Sequence, residues 1–420
     1  MVTAVNEVRR WWVGWLQGIR GEAALVLLSR LANAGAGLVF VLLTARHLGP
    51  RGRGEIAVAF TIAWATTNVS DLGTSTSGRI NLLRPNSEIT ARDVLSLTAV
   101  LIPLQAGITA VLVLLLSLTS LNLSLSFGVA VVALSVATMT FNSATSVMYG
   151  MRQYGDVLTV EATLALFQMV LITGLLWTNH LTTVSAVGAM AVGPALGAIW
   201  LVQISGAFRR NGTKWCRSSW RTLVLDGLSP MAGGISLFLA LRMDRIVLAV
   251  VAGTQSLGLF TVALAVPETL RLLAKAAGQV IADRGRSGID TVAVARRRMR
   301  LFVAGHGLIL AAGAVAGWLL MPVVLGEGFT GARDVLIVVT VAEAVLAVHL
   351  MYQALLVGFG RPKGIGPPQM VGAAVMVVIV LVMIPTWGLQ GAAWASLLGY
   401  TALAGTSMVW TNRELRRLEA

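Results

Sequence analysis

Charged residues lie inside long apolar stretches of this sequence, where a charge is costly unless it is paired or lines a polar cavity. Arg30 and Asp71 occur in two apolar runs near the N-terminus. Glu268, Arg271 and Lys275 are spaced three and four residues apart, so that they share one face of a helix. Because guanidinium and ammonium groups bind phosphate oxygens, these five residues predict a substrate-binding site for an anionic headgroup.

Carboxylates in the apolar stretches also predict coupling to an ion gradient. Asp71, Glu268 and Glu343 are assigned to this role, because a carboxylate released from its arginine can take up a proton or a sodium ion. His349 lies nearby in sequence, but single polar residues in membrane bundles often only hydrogen-bond across helices. A coupling proton or sodium ion is therefore the one cofactor expected, and no metal site or catalytic residue is assigned.

A glycine-rich basic turn, residues 46–55, separates the first two apolar runs. Its arginines are predicted to form an outer gate with charged residues from the corresponding part of the second half. Two interpretations stay open: a gate that meets anionic headgroups, or a solvated loop whose charges have no specific partner. The turn lacks the spacing of a phosphate-binding loop, so ATP is not expected to drive this chain. The predicted gate residues are Arg46, Arg51, Arg53, Arg242, Asp244 and Arg245.

The composition identifies the elements that must position these residues. Of the 420 residues, 56% are hydrophobic and 12% are charged, and the mean hydropathy is +0.80. Such a chain cannot form a water-soluble globule with a polar shell, and at ~20 apolar residues per crossing it predicts an all-α integral membrane protein with about 12 transmembrane helices. The predicted spans are residues 22–45, 55–80, 93–117, 124–148, 157–178, 183–207, 225–252, 256–281, 300–322, 333–358, 367–386 and 388–410.

A basic cytoplasmic linker, residues 208–224, divides the predicted spans into two sets of six. A shift of 204 residues aligns Gly49 with Gly253 and Gly54 with Gly258. The sets are therefore predicted to be two six-helix bundles related by a parallel pseudo-repeat about an axis along the membrane normal, with the substrate at their interface. The predicted domains are 1–21 (interfacial amphipathic helix), 22–207 and 225–412 (the N-terminal and C-terminal bundles), and 413–420 (cytoplasmic tail).

The distribution of Lys and Arg predicts the orientation in the membrane. Most of these residues lie at the termini and in connections on the same side, whereas Arg46, Arg51, Arg53 and Arg333 lie opposite. Both termini are therefore expected in the cytoplasm. The net charge of +14 is dispersed between apolar spans, so nucleic acid is not an expected partner. The single cysteine, Cys216, excludes an intrachain disulfide.

Helix geometry places three of the charges in the apolar spans at one level of the membrane. At ~1.5 Å per residue, Arg30, Asp71 and Arg271 lie about 12–15 Å from the cytoplasmic ends of their predicted spans. Lys275 lies one turn nearer the cytoplasm. A headgroup entering from that side would meet Lys275 first and then the two arginines, while Asp71 and Glu268 would hold the arginines in the empty site.

Four segments resemble polysaccharide flippases of the O-antigen type: SR at 29–30 with LLTARHLGPRGRGEIAVAF at 42–60, YGMRQY at 149–154, GFGRPK at 358–363 and WGLQGAA at 387–393. Such flippases belong to the multidrug, oligosaccharidyl-lipid and polysaccharide (MOP) exporter superfamily. The resemblance implies transport of a polyprenyl-diphosphate-linked glycan across the bacterial inner membrane, contact with membrane lipids, and polysaccharide polymerase machinery as a partner. Arg30 matches an arginine implicated in substrate binding in the related lipid II flippases.

Alternatives to an oligosaccharide flippase remain open at this stage. A multidrug (MATE-like) antiporter or a lipid II flippase of the same superfamily would have the same fold. An antiporter of cationic drugs would favour an acidic or aromatic cavity, whereas the charges in the predicted spans are slightly cationic in sum. A membrane enzyme such as a glycan polymerase is not favoured, because the predicted periplasmic loops are short and most lack charge.

Overall fold

The computed structural model describes residues 22–84, 86–119, 121, 123–208 and 217–419, and it describes their side chains except at 22–33, 217, 218, 362, 363, 418 and 419. The predicted amphipathic helix and most of the linker, with Cys216, lie outside the described residues. The helices are α1 (Glu22–Ser70), α2 (Thr74–Leu83), α3 (Ala91–Ser117), α4 (Leu125–Gly150), α5 (Tyr154–Trp177), α6 (Thr183–Ser205), α7 (Arg217–Arg286), α8 (Val292–Leu325), α9 (Thr330–Gly358) and α10 (Gly366–Glu419), with 3₁₀ turns at Glu327–Phe329 and Pro362–Ile365.

Three long helices are each divided in two by one glycine with a non-helical backbone. These glycines are Gly49 in α1 (φ 70°), Gly253 in α7 (φ 81°) and Gly388 in α10 (φ 54°). Glycine adopts such positive φ values without the steric cost of a Cβ atom. Two segments in each of these helices and one in each of α3 to α6, α8 and α9 give twelve long helical segments, as predicted. Among the described residues, α3 to α10 are the helices long and apolar enough to cross a membrane. The first two glycines are the pair aligned by the predicted repeat.

The second predicted span, residues 55–80, is wrong in one respect, because it consists of two helices. Helix α1 ends at Ser70, Leu72 and Gly73 adopt positive φ values of 50° and 69°, and α2 begins at Thr74. The break follows from Asp71, whose carboxylate competes with the helix by binding side-chain and backbone donors of the next turn. Hydropathy does not register such a break, since the residues on both sides remain mostly uncharged.

Residues 39–261 form one compact unit. Within it, α4 packs against both α3 and α6. Its interior also holds polar side chains: Gln105 on α3 donates to Thr66 on α1 at 3.1 Å, and Thr109 bonds Ser135 on α4 at 2.9 Å. Such bonds across helices satisfy buried polar groups where no water is present. They fix the register of α1, which carries Arg46, Arg51 and Arg53, against α3, and of α3 against α4.

The other compact unit combines residues up to Leu38 with Val262–Ala420. Here α9 packs against α8 and α10. Fully buried side chains from four helices form its core, namely Ala277, Ile281, Phe302, Met351, Leu355 and Leu415. Both units contain residues from both halves of the sequence, so the predicted bundle boundaries at 207 and 225 stay a prediction.

Candidate functional site

The second part of α7 carries a buried ion cluster centred on Arg271. This arginine is 7% exposed, and its Nε atom donates to Oε2 of Glu343 at 2.7 Å, while its terminal nitrogen donates to Oε1 of the same carboxylate. The terminal nitrogen also lies 3.4 Å from Oε1 of Glu268. A planar guanidinium suits this two-point contact with one carboxylate. The sequence predicted Glu268 and Arg271 on one face of span eight and Glu343 on span ten, and the structure brings Glu343 to Arg271.

The charge balance of this cluster determines what it can bind. Two carboxylates, Glu268 and Glu343, share one guanidinium, so that the fully ionised cluster carries an excess negative charge. Glu343 is 1% exposed and is held on both oxygens by Arg271, whereas the Glu268 side chain is 22% exposed and lies 3.4 Å from the same guanidinium. Lys275, one turn further along α7, is exposed. The cluster can therefore accept a proton or a small cation at Glu268, or present Arg271 to an anion that displaces a carboxylate.

The remaining candidates in the membrane spans are His349, Arg30 and Asp71. His349, on the same helix as Glu343, shares a hydrogen bond of 2.6 Å with Ser407 on α10. This is the cross-helix bond expected of a single polar residue in a bundle. Arg30 lies in α1, but its side chain is outside the described part of the structure. Asp71 belongs to the unit formed by residues 39–261, and Arg271 belongs to the other unit.

Asp71 stabilises the start of α2. Its carboxylate accepts hydrogen bonds from the Thr74 hydroxyl at 3.1 Å, from the Ser75 hydroxyl at 2.7 Å and from the Ser75 backbone N–H at 3.2 Å. The first backbone N–H groups of a helix have no partner within the helix, and an acceptor side chain satisfies them. The structure therefore gives Asp71 a capping role beside the substrate-binding and coupling roles predicted for it.

Replacing Asp71 separates these roles. We expect Asp71→Ala to lower the stability of the purified protein by about 1 kcal/mol, the usual cost of losing a helix cap. Asp71→Asn keeps an acceptor oxygen without the charge, so we expect it to retain most of the stability. Thermal unfolding and transport are to be measured for both variants. If Asp71→Asn unfolds like the wild type but no longer transports, the negative charge of Asp71 acts in coupling. Stabilisation of α2 alone would then not account for the role of this residue.

The predicted gate residues divide into exposed and buried groups. Arg46 is exposed, and Arg51, 79% exposed, forms a pair with Glu55 one helical turn away. Arg53 is buried, with its guanidinium 6.0 Å from the ring centre of Phe40. The segment is helical apart from the kink, Arg51 has Glu55 as a partner and Arg53 is buried. The interpretation as a solvated loop without specific partners therefore does not fit this segment, although Arg46 and Arg51 are exposed.

The gate residues of the second half lie along the first part of α7. Asp244 is 1% exposed, and its carboxylate accepts the backbone N–H of Arg245 at 2.8 Å. The guanidinium of Arg242 lies 5.2 Å from the ring centre of Trp64 on α1. Arg245 is buried beside a small, mostly apolar cavity that Thr61 also lines. Aromatic and apolar surroundings thus hold these arginines against α1.

Glycine backbones make the contact between the two kinked turns of this unit. A Cβ atom at Gly54 would lie 1.7 Å from the carbonyl oxygen of Thr254, and one at Gly258 would lie 1.8 Å from that of Pro50. The two contacts are equivalent under the 204-residue repeat. The sequence showed that these glycines align in the two halves, but they were not predicted as gate residues. The 204-residue repeat was the signal that could have identified them.

Helix α2 and the turn before it also contact the first part of α7. A Cβ atom at Gly73 would lie 2.0 Å from the carbonyl oxygen of Gly227. Beyond it, the Ser77 hydroxyl donates to the Leu223 carbonyl at 2.7 Å, and the Asn81 amide donates to Asp226 at 3.2 Å. Helix α2 is thus attached to the first part of α7 by contacts at every fourth residue. We call these contacts the α2–α7 seam.

Comparison with known proteins identifies the family. Residues 20–281 match the family described as polysaccharide biosynthesis protein. No curated protein sequence matches the chain. The match covers more than half of the chain and includes the kinked turns and the α2–α7 seam, as well as Glu268 and Arg271.

Solved structures identify the fold. An inward-facing multidrug resistance MATE family transporter of the MOP superfamily aligns with a TM-score of 0.70 at 14% identity, over 94% of this chain and 99% of that chain. An outward-facing multidrug resistance MATE family transporter of the same superfamily aligns with a TM-score of 0.64 at 16% identity, over 95% of this chain and 97% of that chain. A MOP superfamily transporter from Pyrococcus furiosus Vc1 aligns with a TM-score of 0.64 at 14% identity, over 95% of this chain and 96% of that chain. The reverse polarity of its binding pocket is described as suggesting a different function. The chain belongs to the polysaccharide biosynthesis protein family, and this multi-pass membrane protein has the twelve-helix, two-bundle fold of the MOP superfamily transporters to which it is similar.

Proposed function

We propose that the protein is an alternating-access flippase for a polyprenyl-diphosphate-linked oligosaccharide. It moves this substrate from the cytoplasmic to the periplasmic leaflet of the bacterial inner membrane for surface polysaccharide biosynthesis. The family match over residues 20–281 carries the proposal, because the family is described as polysaccharide biosynthesis protein, and the fold shared with solved transporters supports it. The substrate of such synthesis in a membrane is a glycan on a lipid carrier, and polysaccharide polymerase machinery is the expected partner that receives it.

The diphosphate of the substrate requires cationic groups, and Arg271 is the one we assign to it first. Its guanidinium is held by Glu343 and Glu268 within a buried cluster, which keeps it charged and oriented. An incoming diphosphate exchanges the weaker contact, to Glu268, for charge-assisted bonds to phosphate oxygens. Lys275 and Arg30 are proposed to supply further positive charge on the path from the cytoplasm.

Ion coupling is proposed to act through the same cluster. When phosphate replaces Glu268 at Arg271, the released carboxylate stands in a largely apolar span and favours uptake of a proton or a sodium ion. Release of the substrate restores the original pair and expels the ion. Binding of the diphosphate thus favours binding of the ion, and binding of the ion favours binding of the diphosphate. This mutual effect is what coupling between the two requires.

Gating is proposed to involve the kinked turns of α1 and α7. The glycine contacts at Gly54 and Gly258 bring the turns together, and Arg53, Arg242 and Arg245 lie along the helices that lead to them. We infer that these arginines meet the anionic headgroup when the turns separate. Arg46 and Arg51, which are exposed, are proposed to receive it at the membrane surface.

Transport by purified protein tests the proposed function. The protein is reconstituted into vesicles that contain lipid-linked oligosaccharide extracted from a flippase-deleted strain, and the glycan that becomes accessible to an impermeant lectin is measured. We expect wild-type protein to expose the glycan and an ion gradient to change the rate. If the glycan stays inaccessible while a cationic dye is carried by the same vesicles, the flippase proposal is wrong.

A multidrug antiporter is the second candidate, and the ion cluster favours it in one respect. Two carboxylates for one guanidinium give an excess negative charge that a cationic drug could neutralise. The MATE family transporters with the same fold are described as multidrug resistance proteins. The dye measurement above decides between the two candidates, and replacing the glycan donor with lipid II tests the third, a lipid II flippase.

The proposed orientation makes a prediction for thiol labelling. In a Cys216→Ser background, a cysteine at His180, which is exposed between α5 and α6, is expected to react with an impermeant maleimide in intact cells. Native Cys216 is expected to react only after the cells are permeabilised, because the basic linker faces the cytoplasm. The opposite pattern would reverse the orientation and exclude cytoplasmic termini.

A further inference from the structure

A cavity of about 530 Å³, lined mainly by polar residues, lies at the end of the α2–α7 seam, within the unit formed by residues 39–261. It is bounded by the end of α2, the connection to α3 and the first turns of α7. Its volume falls in the range of about 300–1,000 Å³ that is typical of ligand pockets. The residues that line it and bear on its chemistry are Asn81, Arg84, Ser87, Glu88, Ser219 and Thr222.

The lining is partly fixed before any ligand arrives. Asn81 is buried, its amide donates to the Ser77 carbonyl and to Asp226, and its side-chain oxygen accepts from Arg84 at 3.1 Å. The Ser87 hydroxyl accepts the backbone N–H of Ile89 at 3.2 Å. A rigid wall of this kind reduces the entropy that binding must overcome. Arg84, Glu88 and Thr222 are exposed and can contact a ligand.

The chemistry of the lining favours sugar hydroxyls over the other parts of a lipid-linked glycan. A hydroxyl both donates and accepts, and the cavity offers donors on Arg84, acceptors on Glu88, and groups that do both on Ser219 and Thr222. A diphosphate would require an excess of cations, but here one arginine is balanced by one glutamate. A lipid tail would require apolar walls, and among the described lining residues Ile89 is the one aliphatic side chain.

We propose that this cavity is a loading site that binds the glycan part of the substrate before translocation. The proposal rests on the proposed function and on the orientation that places the α2–α3 connection in the cytoplasm. The cavity is distinct from the ion cluster at Arg271, which lies in the other unit. Glycan and diphosphate are thus recognised by different groups, so that the cavity contributes selectivity for sugar and Arg271 contributes the affinity for the charged carrier.

Binding of the glycan alone tests the cavity independently of transport. The probe is the oligosaccharide released by mild acid from the lipid-linked glycan, added to full-length protein in nanodiscs and followed by saturation-transfer NMR. We expect Arg84→Gln and Thr222→Val each to weaken binding about tenfold, which is the effect of losing one hydrogen bond to a charged group or a comparable contact. Glu88→Gln, at an exposed position, provides a third variant in case one of these fails to fold.

Matched controls lie on neighbouring helices of the same unit. Arg92→Gln and Thr163→Val make the same chemical changes outside the cavity, and both are expected to bind the glycan like the wild type. In the flipping assay, the cavity variants are expected to raise the KM for lipid-linked glycan about tenfold at an unchanged kcat, because ground-state binding is weakened.

The outcomes separate the cavity from the flippase proposal. Unchanged glycan binding and unchanged KM in all three cavity variants would overturn the loading site while leaving the flippase intact. If the wild type flips no lipid-linked glycan but binds the released glycan through the cavity, the flippase proposal fails and the cavity stands as a site for a soluble sugar of the cytoplasm. Absence of glycan binding to the wild type, with transport intact, would overturn the loading site.

Discussion

Replacing Arg271 by glutamine is expected to reduce lipid-linked glycan flipping by at least about 100-fold, since charge-assisted hydrogen bonds contribute about 1.5–3 kcal/mol each and the fork supplies two. The single variant also leaves Glu343 buried without its partner, which costs about 3–5 kcal/mol in other proteins. We therefore expect less folded protein in the membrane as well. Arg271→Lys is expected to recover part of both properties, because an ammonium group keeps the charge but cannot contact both carboxylate oxygens of Glu343 in one plane.

The double variant Arg271→Gln/Glu343→Gln separates binding from folding. It removes both charges at once, so the protein level and thermal stability are expected to return close to those of the wild type. Flipping, measured in reconstituted vesicles, is expected to stay as low as in Arg271→Gln. If the double variant also recovers transport, the ion cluster only holds helices together, and the assignment of Arg271 to the diphosphate is wrong.

Replacing Gly54 by alanine is expected to separate the kinked turns of α1 and α7. The added Cβ atom would lie 1.7 Å from the Thr254 carbonyl oxygen, so a backbone segment must move to accommodate it. We expect transport to fall about tenfold or more, since the lost contact joins the turns assigned to the gate. Gly258→Ala, whose Cβ atom would lie 1.8 Å from the Pro50 carbonyl oxygen, is expected to have the same effect.

Gly107→Ala is the matched control for these glycine variants. Gly107 lies in helix α3, and no heavy atom lies within 4 Å of an added Cβ atom. Alanine in a helix is more favourable than glycine by about 1 kcal/mol, so this variant is expected to be as stable as the wild type or slightly more stable. Normal transport by Gly54→Ala, at wild-type protein level, would show that the turns need not meet at this point.

The sequence by itself determined the class of protein and the number of crossings. Apolar runs of sufficient length predict helices in a membrane because unpaired backbone groups are not tolerated there. Glycines at 49 and 253 marked equivalent turns, and the spacing of Glu268, Arg271 and Lys275 placed them on one helix face. The broken second span escaped this reasoning, because the competing hydrogen bonds of Asp71 are local and leave the hydropathy pattern unchanged.

Only the tertiary structure decided which charges meet. Arg271 and Glu343 are 72 residues apart, and no periodicity within either helix indicates that one faces the other. No pattern in the sequence indicates that Gly54 meets Thr254 or that Ser77 meets Leu223. The cavity at the end of the α2–α7 seam was likewise not predictable, because its walls come from two distant segments. Contacts between helices depend on how the helices pack and on the rotation of each helix about its axis. A sequence pattern determines which face of a helix is polar, but it does not determine which other helix covers that face.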